Sequence, residues 1–523
     1  MNIAHLIEEN ARTFPSKKSV IFTKKEKIGF SYPFYTFKEF DDRSQKISQE
    51  LFSRGVKPGM RVCLFVKPSL DFSVIVFSLF KMGAIPVLID PGMGVKALLN
   101  AIKDVKPEVL IAEKIVHIIR FFRPSYFKSV IYSLTPQTLL ASLSQEAISF
   151  ETLKREFDDH AAILFTSGGT GRPKGVIYTH GMLHTQTKLL KEMYALNPTD
   201  IDLPGFPLFA LFTLAMGMTS VIPPMNPAKP SEADPKSLVS TILDQQCTFL
   251  AGSPAIWKRV VDYCEEKQVQ LPNVKHLVMF GAPVDPDLLI RLSLVLPFGK
   301  ISTPYGATEC LPVSLIFSDE ILNRHLNLTK NGHGVCVGYP VAGVKVLIDK
   351  DADIPDFLLP DKGEILVKAS QQTPGYFEKN EETKLVKTII NGELFHRMGD
   401  MGVLDKNGCL WFLGRKVHQV HLEDKSYSPI SVESFFNQHP KITRVAFVQD
   451  HNRSALVVEE KGMLVQKEEL LLIIKEILEL SPYKNLFSKV CFYPSFPVDV
   501  RHNIKIDRKK LSLFAQQEKG YFI

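Results

Sequence analysis

The 523-residue chain has no Cys-x-x-Cys pair, no block of clustered lysines and arginines, and no low-complexity linker. Its seven cysteines, Cys63, Cys247, Cys264, Cys310, Cys336, Cys409 and Cys491, are scattered and odd in number. That pattern argues against a disulfide framework and against a zinc knuckle of paired cysteines, and it fits reduced thiols in a cytoplasmic setting. Without a basic block, a net charge of +7 does not point to nucleic acid. The first ten residues carry early acids and lack the basic-then-apolar order of a signal peptide. The uncharged stretch 203–228 has the length of a membrane span. Pro204, Pro207, Pro223, Pro224 and Pro227 break it, and backbone groups freed by proline are costly in lipid. It reads instead as a buried helix between loops that walls an apolar pocket, with Phe209, Ala210, Phe212 and Met216 as candidate lining residues.

What is present is ordinary for a large soluble enzyme: 45% hydrophobic and 23% charged residues. The length suggests roughly three or four domains, or one large domain with smaller ones. Residues 1 to 150 alternate helical and strand patterns: a helix over 35–55, a strand over 61–66, an apolar helix over 70–83 and a strand over 85–89. The rhythm recurs from 161 to 330 and predicts α/β architecture with two mostly parallel sheets. From 333 to 413 short strands with glycine turns predict an antiparallel, barrel-like β subdomain. From 416 a small, mobile α+β domain is expected, with strands over 444–448 and 455–458 and a helix over 467–480. The domain reading is therefore 1–415 and 416–523.

The segment 163–178, ILFTSGGTGRPKGVIY, carries the most chemistry. An apolar strand runs into Thr166, Ser167, Gly168, Gly169, Thr170 and Gly171, where glycines free the backbone and hydroxyls and N–H groups crowd together. Such an array suits phosphate oxygens, and Lys174 adds positive charge. A Walker A loop would place Gly-Lys-Ser/Thr at a helix start. Here Lys174 lies between Pro173 and Gly175, and the β-branched run at Val176 and Ile177 predicts strand–loop–strand. His180 and His184 stand four apart, but no Glu lies between them as in a zinc-protease motif, so a helix start after Thr179 is the better reading.

Five strings in order resemble the adenylate-forming superfamily of acyl-CoA synthetases, luciferases and peptide-synthetase adenylation domains. They are the loop 166–175, Tyr305-Gly306-Ala307-Thr308-Glu309, Gly363-Glu364, the run from Gly399-Asp400 to Gly414-Arg415, and Asn503-Ile504-Lys505. Adenylation brings a carboxylate to the α-phosphorus of ATP, so two anions must be neutralised by cations and N–H donors. The resemblance implies ATP and Mg²⁺ as cofactors. It places Thr166 to Lys174 on the β- and γ-phosphates and Glu309 on the magnesium ion. Thr308 falls at the α-phosphate or substrate carboxylate. Tyr305 and Gly306 fall near adenine with Gly281, Ala282 and Pro283, and Asp400 and Arg415 fall on the ribose. Lys505 matches the catalytic lysine that bridges carboxylate and α-phosphate on a small rotating domain, although its Arg501-His502-Asn503 context is unusual.

Three departures narrow the branch. Ala210 stands where many acyl-CoA ligases have His, Lys416-Val417-His418 follows Arg415 where acidic hinge residues are usual, and the tail before Lys505 differs. All three resemble the β-lactone synthetases of bacterial olefin biosynthesis. That resemblance implies activation of a long-chain β-hydroxy acid and closure by its own hydroxyl with loss of AMP. Alternatives are a fatty acyl-CoA ligase, an acyl-AMP ligase loading a carrier protein and, from another class, a non-catalytic nucleotide-binding protein; a Gly169 in place of Ser or Thr is compatible with slow turnover. The branch further implies a fatty-acid-like substrate, a peripheral membrane contact suited to an apolar product, and thiolase and decarboxylase partners.

Overall fold

The computed structural model describes residues 1–523 apart from 145, 147, 148, 167–172, 351–358, 360, 424, 485, 488, 499–505 and 523. Three sheets organise it. The first has six strands in the order Lys174–Thr179, His160–Thr166, Ile85–Ile89, Arg61–Phe65, Val109–Ala112 and Tyr132–Leu134. All pairings are parallel except that of Lys174–Thr179, which folds back antiparallel on His160–Thr166. The central strands Ile85–Ile89, Arg61–Phe65 and Val109–Ala112 are nearly continuous apolar runs, as expected where helices cover both faces.

Helix formation follows local signals. Helix Phe37–Ser53 starts with a capping box in which Thr36 and Glu39 satisfy each other's backbone N–H. It buries Phe37, Phe40, Ile47 and Leu51, a helical stripe. Helix Leu70–Lys81 is apolar on nearly every side and is correspondingly enclosed, with Val74, Ile75, Phe77 and Phe80 in one core. It stops before Gly83, whose φ is +67°.

The second sheet is parallel at its centre, where His276–Met279, Phe249–Gly252, Ile201–Pro204 and Thr219–Ile222 pair in that order. Strand Lys18–Phe22 joins it from far upstream, with Val20 opposite Ser220. On its other side Lys300–Ala307 turns back as Cys310–Phe317, and antiparallel strands follow: Val335–Pro340, Leu410–Arg415, Glu393–Leu404, Gly363–Lys368 and Lys345–Lys350. The antiparallel region expected from 333 to 413 is thus an open continuation of this sheet. Cys310–Phe317 pairs on both sides, so the hydrogen-bonded path runs on without closing.

The stretch 203–228 is not one helix. It holds the end of strand Ile201–Pro204, a 3-10 turn Pro207–Phe209, helix Ala210–Ala215 and strand Thr219–Ile222. Proline and glycine punctuate it, and Val221 and Ile222 favour the sheet. Among the described residues no helix is long and apolar enough to cross a membrane.

Beyond Val420 the chain builds a separate four-stranded sheet, Val445–Asp450, Arg453–Glu459, Lys489–Tyr493 and Tyr521–Phe522. Helices Pro429–Asn437 and Lys467–Leu480 pack on one face and Arg508–Gln517 on the other, each over its own apolar core. Polar ties join it to the rest: Lys362 Nζ donates to Gln419 Oε1 at 3.0 Å and Ser426 Oγ at 2.6 Å, and Gln438 Nε2 donates to the Lys330 carbonyl.

Candidate active site

The site forms where the antiparallel edge of the first sheet meets the hairpin tip of the second. Register places Thr166 opposite Lys174, so the phosphate-type loop joins two paired strand ends. Its residues Ser167, Gly168, Gly169, Thr170 and Gly171 lie outside the described residues, as does Lys505; of Thr166 the backbone alone is described.

Lys174 is seated on an aromatic ring. The segment 373–377 runs alongside strand Lys174–Thr179 as an added edge: Ile177 N–H donates to the Gly375 carbonyl and Phe377 N–H to the Gly175 carbonyl, at 3.1 and 2.8 Å. Val176 bridges Tyr376. That pairing lays the Tyr376 ring under the ammonium of Lys174, with Nζ 4.8 Å from the ring centre.

The same tyrosine reaches Glu309. Its hydroxyl donates to Glu309 Oε1 at 2.9 Å. Thr308 and Glu309 occupy the tip between Lys300–Ala307 and Cys310–Phe317, where Ala307 pairs with Cys310. A Cβ on Gly306 would lie 2.7 Å from the Cys310 carbonyl oxygen, so the tight return requires glycine. Both tip carbonyls are pinned, that of Thr308 by the Tyr178 hydroxyl at 2.8 Å and that of Glu309 by the Thr373 N–H at 2.7 Å. Lys387 sits behind this tip and donates to the Thr373 carbonyl. Burial lowers its pKa to about 8, against the opposing pull of Cys310 and Glu309. Burial, and then the Glu309 charge, raise the Tyr376 phenol, which keeps it a proton donor.

Asp400 and Arg415 form the second half. They face each other across strands Glu393–Leu404 and Leu410–Arg415, with Arg415 Nε 3.2 Å from Asp400 Oδ1. The Tyr305 hydroxyl donates to Asp400 Oδ2 at 2.7 Å, linking the hairpin to this pair. Asp400, foremost, raises the pKa of Arg415; burial, foremost, raises that of Tyr305. The neighbouring Gly363-Glu364 string plays a supporting part. Glu364 accepts from Arg397 Nη1 at 2.8 Å and from Lys416 Nζ at 3.0 Å, fixing the residue that follows Arg415.

The apolar candidates flank the turn after strand His276–Met279. Phe209 lies against Phe280, ring centres 4.5 Å apart, beside Gly281, Ala282 and Pro283; Gly281 has φ +92°. Phe212 packs next to Phe209 and against the buried cluster holding Met216, while Ala210 is wholly enclosed in the core of the first sheet. His180 and His184 begin helix His180–Met193, capped by Thr179, and burial lowers both pKa values, that of His180 to about 3.

Tyr376 and Lys387 had no motif to announce them, and Tyr178, the last residue of the 163–178 string, had no role assigned from it. The one signal for Tyr376 is the string Thr373-Pro374-Gly375-Tyr376-Phe377, which reads as a turn followed by aromatics.

The arrangement suits a nucleotide triphosphate. Lys174, at the strand end where the loop returns, and the carboxylate of Glu309 share Tyr376, and the Asp400–Arg415 pair offers partners for hydroxyls. Glu309 uses one oxygen on Tyr376, and its other carries no hydrogen bond among the described residues. A carboxylate oriented in this way fits a hard divalent cation such as Mg²⁺.

Comparison with known proteins agrees. The model of the AMP-binding enzyme family matches residues 7–377. An olefin beta-lactone synthetase of Xanthomonas campestris pv. campestris is 35% identical over 512 residues, covering 92% of this chain and 91% of the relative. Another of the same name from Stenotrophomonas maltophilia is 34% identical, covering 99% and 98%. Among solved structures, the o-succinylbenzoate coenzyme A synthetase of Bacillus subtilis in complex with ATP and magnesium superposes with a TM-score of 0.77. It covers 97% of this chain and 98% of its own, at 20% identity.

Proposed function

We propose, on the premise that this chain belongs to the AMP-binding enzyme family, that it activates a long-chain β-hydroxy acid with ATP and closes it to a β-lactone. The near full-length likeness to two olefin beta-lactone synthetases carries this reading, and the site's geometry supports it.

In the first step the acid's carboxylate oxygen attacks the α-phosphorus and diphosphate leaves. Lys174 and the loop 166–171 hold the β- and γ-phosphates. Asp400 and Arg415 hold the ribose hydroxyls, and Gly281 to Pro283 with Tyr305 and Gly306 border the adenine. Thr308 lies at the α-phosphate. Glu309, oriented by Tyr376, holds Mg²⁺, which when bound neutralises phosphate charge. Lys505 approaches from the small domain, 416–523, and offsets the charge between carboxylate and α-phosphate.

In the second step the acid's own β-hydroxyl attacks the acyl carbon, loses its proton, and expels AMP. The anhydride drives formation of the strained ring, and holding both groups on one chain makes the step intramolecular. Phe209, Phe212, Met216 and the wall near Ala210 border the acyl chain. The hydroxyl travels with the substrate, so no second substrate need enter. The chain works in the cytoplasm, in keeping with its seven free, buried thiols.

Mass spectrometry of products from ATP, Mg²⁺ and a long-chain β-hydroxy acid, with and without coenzyme A, tests the proposal. The expected result is β-lactone and AMP in equal amounts, indifferent to coenzyme A. An acyl thioester formed only with coenzyme A would overturn it.

A further inference from the structure

Away from this site, three side chains distant in sequence converge in a buried pocket of the second sheet. His325 closes the π-helical turn Ile321–His325, Cys336 lies on strand Val335–Pro340, and Cys409 precedes strand Leu410–Arg415. The two strands are antiparallel neighbours with a bulge after Cys336, which sets the thiols side by side. Their sulfurs are 3.0 Å apart. One ligand atom from each of the three residues lies within 4.8 Å of the others, and all three residues are buried. Trp411 and Ile316 enclose the group, the His325 and Trp411 ring centres being 5.3 Å apart.

The histidine is the informative member. It is 8% exposed, yet neither ring nitrogen has a hydrogen-bond partner among the described residues. Leaving a buried polar group unsatisfied is costly, and a bound ligand would relieve it. The nearest counter-charge is Glu320 Oε1, 3.6 Å from Nε2 and beyond hydrogen-bond reach. That spacing suits two ligands of one ion: donors around a tetrahedral zinc lie about 3.4–3.8 Å apart for ordinary Zn–N, Zn–O and Zn–S lengths, and the two sulfurs, now 3.0 Å apart, part by less than about 1 Å to bind it. π-Helical turns are uncommon and recur where a side chain is presented to a ligand.

We propose that His325, Cys336 and Cys409 bind one Zn²⁺, with Glu320 as the fourth donor. Two thiolates and an imidazole select a soft, tetrahedral divalent ion over magnesium or calcium. Both thiols release their protons to solvent as the Zn–S bonds form, and no electrons are transferred. With four protein ligands the ion has no open position, so its role is structural. It ties the helical segment 318–330 to the strand that ends, six residues past Cys409 and about 20 Å away, in Arg415. The separation of the ligands along the chain, 325, 336 and 409, explains why no cysteine spacing announces the site.

Metal analysis of the untagged full-length chain, purified without chelators, tests the site first. About one zinc per chain is expected, with background levels in the Cys336→Ser/Cys409→Ser chain. In the reduced, chelator-treated native chain, added Co²⁺ should give a thiolate-to-cobalt absorption in the near-ultraviolet and tetrahedral bands in the visible. His325→Asn should alter the visible bands and leave the thiolate absorption. Zinc at background together with no cobalt–thiolate band in the native chain would overturn the proposal, whatever the variants do. So would a Cys336–Cys409 disulfide found by peptide mapping of the chain alkylated at lysis.

Discussion

Tyr376 serves two partners at once. Its ring carries Lys174 and its hydroxyl orients Glu309. Tyr376→Phe removes the second role and keeps the first. A hydrogen bond to a charged group is worth about 1.5–3 kcal/mol, so kcat/KM for AMP formation should fall about tenfold or more. The Mg²⁺ concentration needed for half-maximal rate should rise as well, because the carboxylate loses its orientation. Initial rates across a Mg²⁺ series check this; a loss of rate with an unchanged Mg²⁺ dependence would detach the tyrosine from the metal. The sequence pointed to Lys174, Glu309, Asp400 and Arg415 because each stands in a short string that resembles a family motif, and the structure sets Lys174 near Glu309 through Tyr376 and pairs Asp400 with Arg415. Tyr376 was not legible, because it reaches Glu309 across 67 positions through strand pairing, and pairing leaves no local trace. Lys387 was hidden for the same reason. Composition marked the apolar stretch but could not distinguish Phe209, set against Phe280 before the Gly281 turn, from Ala210, enclosed in the core.

At the scale of elements, Asp202 joins three of them. It lies on strand Ile201–Pro204 and accepts from Thr213 Oγ1 of helix Ala210–Ala215 at 2.7 Å and from Ser220 Oγ of strand Thr219–Ile222 at 3.3 Å. It is fully buried, with no cation in either contact. Burial raises its pKa to about 7, the two hydroxyls offsetting only part of the effect. The unfolded carboxyl titrates near 3.8. Between those values the folded chain holds a proton that the unfolded chain has released. Stability from this group therefore falls as pH rises through that window and levels off above about 7. Asp202→Asn keeps an accepting oxygen and remains neutral at every pH. It should raise stability by about 2–4 kcal/mol at pH 8, with the gain shrinking toward pH 4. Urea titrations of both chains at a series of pH values measure the difference; a gain independent of pH would show that Asp202 is charged in the folded chain. The sequence read this region as a buried helix between loops; helix Ala210–Ala215 matches that, but two strand segments flank it. The prolines were legible as breaks, whereas strand Thr219–Ile222, with β-branched Val221 and Ile222, was not. Where periodicity was unambiguous, as in helix Lys467–Leu480 and strand Ile85–Ile89, sequence and structure agree to the residue.

At the scale of the whole molecule, the residues beyond Val420 own their sheet and cores, and they meet the larger part through polar ties such as Lys362 with Gln419 and Ser426. The α/β rhythm made two sheets legible. It could not show that Lys18–Phe22 crosses to the second sheet, or that the antiparallel strands extend that sheet, because such pairings are not local: Val20 pairs with Ser220 and Val335 with Phe412. Val417, at the junction between the two parts, is 66% exposed. A thioester-forming relative needs its small domain twice, once to bring a lysine to the α-phosphate and again to admit coenzyme A. A lactone-forming chain needs it for the first step alone, because the hydroxyl is already beside the acyl carbon. The two steps should therefore separate in Lys505→Ala. Its AMP formation from acid and ATP should drop about 10²–10³-fold, the effect of removing a charge aimed at the developing transition state. Given synthetic β-hydroxyacyl adenylate, the same variant should form lactone within about threefold of the native rate. Lactone yield from added adenylate, followed by mass spectrometry, decides the matter. An equal loss in both steps would place the small domain in ring closure too, and the junction at Val417 would then have to turn for both.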